Sequence, residues 1–188
     1  MYLFLDTETA GLKPAQPLLA AAFILTDDNN KEIDRLVLKV KSEGLPTVDV
    51  EALAVNKIDL VAHWKIALLP KAAAVEFLKF LNKHGVSKLN TTIVGHNVEF
   101  DLNFIYEYLM DEKTVRMYFN KYKEDTGIIA KFLKLKFGKL AELAEALKID
   151  ISDLEAHTEV GDTEITRRCY WKMHDMVHGD INGQETNT

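Results

Sequence analysis

The chain predicts an α/β fold, a mixed five-stranded sheet flanked by helices. Three observations carry that expectation: three strand-like apolar segments come first, a fourth follows an amphipathic helix, and strand and helix alternate from there on. Such an order describes a sheet that is antiparallel on one side and parallel on the other.

Residues 2–6 read as the first strand, four apolar residues closed by Asp6. Residues 18–26 and 33–41 read as two more. Between them Asp27, Asp28, Asn29 and Asn30 are strong turn formers, so the pair is expected as an antiparallel hairpin. Residues 49–55 suit a short helix. Pro70 then opens an amphipathic helix with Ala74, Phe77, Leu78 and Leu81 at helical spacing and Gly85 as its stop. Residues 91–95 form a compact apolar strand, and Asn97 is placed to cap a helix running to residue 111. A short extended piece leading into Asp125 and Thr126 completes the five strands. Helices follow at residues 128–135 and 139–148, the second with Leu140, Leu143, Ala144 and Leu147 on one face. A last helix over residues 160–177 is expected to end at Gly179. Residues 1–178 read as one domain, and residues 179–188, polar and Gly- and Asn-containing, as a disordered tail.

The 188 residues, 47% hydrophobic and 28% charged, fit one soluble domain with a substantial core. The longest apolar run, residues 18–25, is far short of the roughly 20 residues of a membrane helix, so no membrane association is expected. The start of the chain lacks a basic region and Asp6 breaks its apolar stretch, which argues against a secretory signal. A single cysteine, Cys169, excludes an internal disulfide and fits the cytoplasm. The formal charge of −6 argues against a wide basic surface that coats nucleic acid. It leaves room for a polyanionic substrate reached through divalent ions.

Asp6 and Glu8 sit at the end of the first strand, two residues apart, so their carboxylates point to the same side. Two like charges at the edge of a core repel unless a cation neutralises them, and such oxygen ligands suit Mg²⁺ or Mn²⁺. The plainer alternative is a strand end and a solvated turn residue. Asp101 lies in the first turns of a helix and shares an apolar face with Phe104, Ile105 and Tyr108. A buried aspartate is costly unless paired or metal-bound, although a carboxylate near a helix N-terminus also interacts with the dipole. His157 and Asp162 are five residues apart, about 500° of ideal helix, so they converge only if His157 is on a loop before the helix. Gly161 would ease that bend. Singly these are ordinary polar residues; together they give four carboxylates and one imidazole, each at the edge of an element. That set fits two-metal phosphodiester hydrolysis with a histidine base.

Three motifs then carry a resemblance. Asp6-Thr7-Glu8-Thr9-Ala10-Gly11, His96-Asn97-Val98-Glu99-Phe100-Asp101, and His157 through Asp162 resemble, in order, the three motifs of the DnaQ-like 3′–5′ exonucleases of the DEDDh type. The resemblance spans residues 2–173 and implies a ribonuclease H-like fold. It implies that Asp6, Glu8 and Asp162 hold one of two Mg²⁺ or Mn²⁺ ions, with Asp6 bridging to a second that Asp101 supports. His157 would be the general base. Thr7, Glu8 and Thr9 would meet the terminal sugar, Leu12 would wedge against the last base, and Phe104 would line the same pocket or belong to the core. The implied reaction removes nucleoside 5′-monophosphates from a 3′ end of single-stranded or frayed DNA, or of RNA. Asp125 is expected as a cap. Residues 54–58 resemble a family loop but carry Lys57 where Gly is common.

Rival expectations are a phosphodiesterase for very short RNA and a non-catalytic module that grips a 3′ end or a replication partner. A polymerase partner and a homodimer are both compatible with the sequence, which shows neither a polymerase domain nor an apolar clamp-binding peptide in the tail. Lys131, Lys134, Lys136 and Lys139, interleaved with Phe132 and Phe137, read as a solvated face or a backbone guide. His63, His84, His174 and His178 show no metal-ligand pattern.

Overall fold

A computed structural model describes residues 1–182 apart from Pro14, Leu45, Pro46, Lys121 and Ala156. Its sheet contains β1 (Tyr2–Thr9), β2 (Leu18–Thr26), β3 (Glu32–Lys39), β4 (Thr92–Gly95) and β5 (Lys123–Asp125) in the order β3-β2-β1-β4-β5. β1 pairs antiparallel with β2 and parallel with β4; β2 and β3 are antiparallel and β4 and β5 parallel. The mixed five-stranded sheet is therefore as expected, with β1 at its centre.

Strand alternation divides β1 between two cores. Leu3 and Leu5 face a cluster with Phe23, Phe77, Leu102 and Phe104, built with α3 (Pro70–Lys83) and α4 (Val98–Tyr108). Phe4 faces the other side, against Ile24, Val94, Tyr170 and Trp171 of α8 (Glu159–Asn182), with Tyr2 packed beside it. β2 is covered on both faces and all nine of its residues are buried, which explains its unbroken apolar run. Phe23 and Phe77 stack with ring centroids 4.2 Å apart and tie β2 to α3. A third cluster joins Ala130 of α6 (Thr126–Phe132), Leu143 of α7 (Leu140–Ala146) and Ile165, Cys169 and Met173 of α8. Cys169 is a buried core residue there.

Several helix limits differ from expectation. The helix after Asn97 stops at Tyr108 rather than residue 111, because the Asp111 side chain accepts from Thr114 N–H and starts a separate α5 (Glu112–Tyr118). α1 (Val50–Asn56) was expected; α2 (Leu60–Ile66), capped by Asp59 on the amides of Val61 and Ala62, was not. Gly85 takes φ +60° and ends α3 as expected, whereas Gly179 stays inside α8, which continues to Asn182. Residues 180–182 are thus helical, and the rest of the expected disordered tail, residues 183–188, lies outside the described residues. No helix among the described residues is long and apolar enough to cross a membrane.

Candidate active site

β1 runs past the end of its pairing with β4, which stops at Phe4 and Val94. Asp6 and Glu8 therefore project beyond the carboxyl end of the parallel strands, where open α/β sheets gather ligands. Phe4 fixes which face they use: like Phe4, they point toward α8. Directly opposite them on β2 are Ala22 and Ala20, whose small side chains leave room above the sheet. Asp162, in the first turn of α8, enters that space. Carboxylate oxygens of Asp6, Glu8 and Asp162 all lie within 4.8 Å of one another.

This crowding is felt in the proton affinities. Burial holds the Asp6 carboxyl well above the usual aspartate range, and the negative charges of Asp101, Asp162, Glu8 and Glu159 push it further. Glu8 rises to about 7 by burial and the charges of Asp162, Glu159 and Asp101, against a hydrogen bond with Asn56. Asp162 is also raised by burial, opposed by the backbone N–H of His157. Three hard oxygen donors that repel one another in a half-buried cleft are stable as anions only with a cation among them. They fit Mg²⁺ or Mn²⁺ in donor type and spacing.

Asp101 stands on the other face of β1 and is outside this trio. Only 3% exposed, it accepts from the Thr7 backbone N–H at 3.0 Å and the Thr7 hydroxyl at 2.6 Å. Burial still lifts it to about 7 despite those bonds. Its charge is nonetheless a leading cause of the Asp6 shift, so it borders the same cleft. Its helix is positioned by Asp125. Asn97 occupies the cap position with φ +63° and makes no side-chain capping bond; the Asp125 Oδ2 accepts from Val98 N–H instead. Asp125 also caps α6, through Gly127 and Ile128. Gly95 allows the sharp strand-to-helix turn, since a Cβ there would lie 2.8 Å from Val98 Cβ.

His157 is on an exposed loop at φ +61°, and its backbone N–H donates to Asp162 Oδ1 at 3.2 Å. The loop-then-helix arrangement required by the five-residue spacing is therefore present. Gly161 does more than ease a bend. A Cβ at that position would sit 1.9 Å from the Glu155 carbonyl oxygen, so the loop can fold over the helix start only above a glycine.

The expected substrate contacts divide. Leu12, three residues past the end of β1, is 77% exposed and is free to touch a ligand. Phe104 is 1% exposed within the α3/α4 core, which corrects its expected place in a pocket: the face it shares with Asp101 turns inward. The side chains of Thr7 and Thr9 are corrected too. Alternation points them away from the carboxylates, and their hydroxyls are committed to Asp101 and to the Gly11 carbonyl at 2.6 Å.

Other neighbours escaped the sequence reading. Glu159 is buried at the start of α8, pairs with Lys39 Nζ at 3.2 Å, and adds charge to the cleft. Lys39 lies opposite Ala20 on β3, on the same sheet face as Glu8. Asn56 ends α1, donates to the Thr9 carbonyl at 3.1 Å and meets Glu8. The following Lys57 adopts φ +56°, keeping the turn that a glycine would ordinarily make.

Comparison with known proteins agrees with this geometry. The family model for exonucleases of the ribonuclease T type matches residues 3–170. The chain belongs to that exonuclease family. Solved structures of exonucleases share its fold, the expected ribonuclease H-like arrangement of a mixed five-stranded sheet flanked by helices. The exonuclease resembles E. coli exonuclease I solved with a dT13 oligonucleotide, at TM-score 0.74 and 21% identity over 99% of this chain and 44% of that one. It likewise resembles the zinc-bound E. coli exonuclease I complex with single-stranded DNA, at TM-score 0.73 and 23% identity, covering 93% and 40%. Exonuclease I from Methylocaldum szegediense aligns at TM-score 0.68 and 18% identity, covering 93% and 40%. The exonuclease chain thus spans less than half the length of these solved structures. No curated protein matches it.

Proposed function

We propose that this exonuclease hydrolyses the terminal phosphodiester at the 3′ end of single-stranded or frayed DNA and releases nucleoside 5′-monophosphates, with RNA as a second substrate. The carrying observation is the convergence of Asp6, Glu8 and Asp162 within 4.8 Å on the part of β1 that runs past its pairing with β4, with the His157 loop hydrogen-bonded to one of them. The single-stranded DNA in the E. coli exonuclease I complexes supports the substrate class.

Asp6, Glu8 and Asp162 would hold one Mg²⁺ or Mn²⁺, and Asp101, across β1, would support a second. When bound, the two ions polarise the phosphate, lower the pKa of the attacking water and neutralise the leaving oxygen. The protein's own share is positioning and proton transfer. Thr7 holds Asp101 in place through two hydrogen bonds. Asn56 orients Glu8. His157, exposed at the mouth, accepts the proton of the attacking water. Leu12 packs against the terminal base.

Strands of DNA and RNA labelled at either end, incubated with and without EDTA, test this. Shortening from the 3′ end in Mg²⁺, its loss in EDTA and its abolition in Asp6→Ala are expected. Full activity of Asp6→Ala in Mg²⁺, or digestion from the 5′ end, would overturn the reading. Hydrolysis confined to dinucleotides would favour a phosphodiesterase for very short RNA, and binding without release of monophosphates a non-catalytic 3′-end module.

A further inference from the structure

At the opposite end of β1 from the acidic cleft, α6, α8 and the sheet border an open cavity of about 230 Å³ whose lining includes Tyr2, Glu124, Tyr170, His174 and His178. His174 and His178 are one helical turn apart and their rings meet, with centroids 4.3 Å apart and planes inclined by 49°. Neither imidazole is used by the chemistry at Asp6. His174 Nδ1 is buried and has no hydrogen-bond partner among the described residues; neither has the indole nitrogen of Trp171, whose ring lies 4.9 Å from that of His174. A buried ring nitrogen without a partner is costly unless something fixes the tautomer.

We propose that His174 and His178, with Glu124 across the cavity, form a second metal site, for an imidazole-preferring divalent ion such as Zn²⁺. Two imidazoles at this spacing on one helix face offer two nitrogen donors to the same point, and nitrogen donors of this kind select Zn²⁺, Co²⁺, Ni²⁺ or Cu²⁺ over Mg²⁺ and Mn²⁺. The neighbouring carboxylate suits the outer contact common to metal-bound histidine. Asp175 Oδ1 is 3.8 Å from His174 Nδ1, so a small turn lets Nδ1–H donate to it while Nε2 takes the ion. Glu124 lines the same space and accepts from the Tyr170 hydroxyl. Asp6, Glu8 and Asp162 are the one three-residue ligand group already assembled among the described residues, so the second site closes only when Glu124 turns from Tyr170 toward the rings. Water completes the coordination shell. The bound ion fastens the last turns of α8 to β5. The sequence reading found no metal pattern in these histidines because Glu124 and the cavity come from a different part of the chain.

Titration of the full chain with Co²⁺ and Zn²⁺, read by cobalt visible absorption and competition with a chromophoric chelator, tests the assignment. In Asp6→Asn, which impairs the acidic cleft, one Zn²⁺ is expected to bind, with an affinity that wild type also shows besides whatever its cleft takes up. His178→Ala, at an exposed position, should weaken that binding by tenfold or more, and so should His174→Gln. Glu124→Gln should weaken it less than either histidine change, and in the Asp6→Asn background Zn²⁺ should raise the Tm of the parent more than that of His178→Ala. Hydrolysis driven by Mg²⁺ should be unchanged in His178→Ala. In the Asp6→Asn background, Zn²⁺ binding that survives both histidine substitutions, or Zn²⁺ binding that is absent from Asp6→Asn altogether, would overturn the proposal.

Discussion

Glu8 couples the chemistry of the cleft to stability. In the unfolded chain it ionises near 4.5 and in the folded protein at about 7. Between those values the folded state holds the extra proton, so stability falls as pH rises through this window and the full penalty is present above it. In EDTA at pH 8, Glu8→Gln is expected to stabilise the protein by about 2 kcal/mol in urea unfolding, with the gain vanishing near pH 4. A variant no more stable than its parent at pH 8 would mean that the carboxylate is fully solvated. Mg²⁺ should narrow the difference, because it stabilises the parent alone. The members of the trio were legible in the sequence because Asp6 and Glu8 share a strand face and Asp162 opens a helix. The supports were not. Thr7 lies 94 residues from Asp101, and Lys39 lies 120 residues from Glu159. No local pattern records such partners. Phe104 was ambiguous because helical spacing says which residues share a face and nothing about what that face meets.

At the scale of elements, the junction of the His157 loop with α8 is the most exacting. Gly161→Ala forces the Glu155 carbonyl away and displaces His157 with it. Misplacement by about 1 Å costs on the order of a hundredfold in rate. Steady-state turnover in saturating Mg²⁺ should therefore fall by about tenfold to a hundredfold in Gly161→Ala. His157→Ala should lower turnover comparably and leave Mg²⁺ affinity near wild type. Equal turnover in Gly161→Ala and the parent would show that the loop does not position the base. The elements that were read correctly have strong local signals: the turn formers at residues 27–30, Pro70 at the start of α3, and Gly85 at its end. The misread ones turn on capping choices. Asp59 and Asp111 start short helices that have little periodicity of their own, and Gly179, a helix stop by residue type, stays helical at a cost of only about 1 kcal/mol.

For the whole molecule, the formal charge of −6 and the acidic cleft mean that a nucleic acid strand meets net repulsion until divalent ions are bound. Binding of a labelled single strand, followed by fluorescence anisotropy, is expected to be on the order of tenfold weaker in EDTA than in Ca²⁺. Equal affinity in both would point to a metal-independent groove elsewhere on the surface. The sheet order was legible in outline because strand-first patterning separates hairpin from crossover connections. The burial of β2 on both faces followed from α8 returning across the sheet, which sequence order alone does not specify. Asp125, at the end of β5, holds a comparable position between two helices. One carboxylate receives amides from the mouths of both α4 and α6, so the two cylinders pivot on a common pin. Loss of that single side chain would leave both helix starts without their cap, the one carrying Asp101 among them.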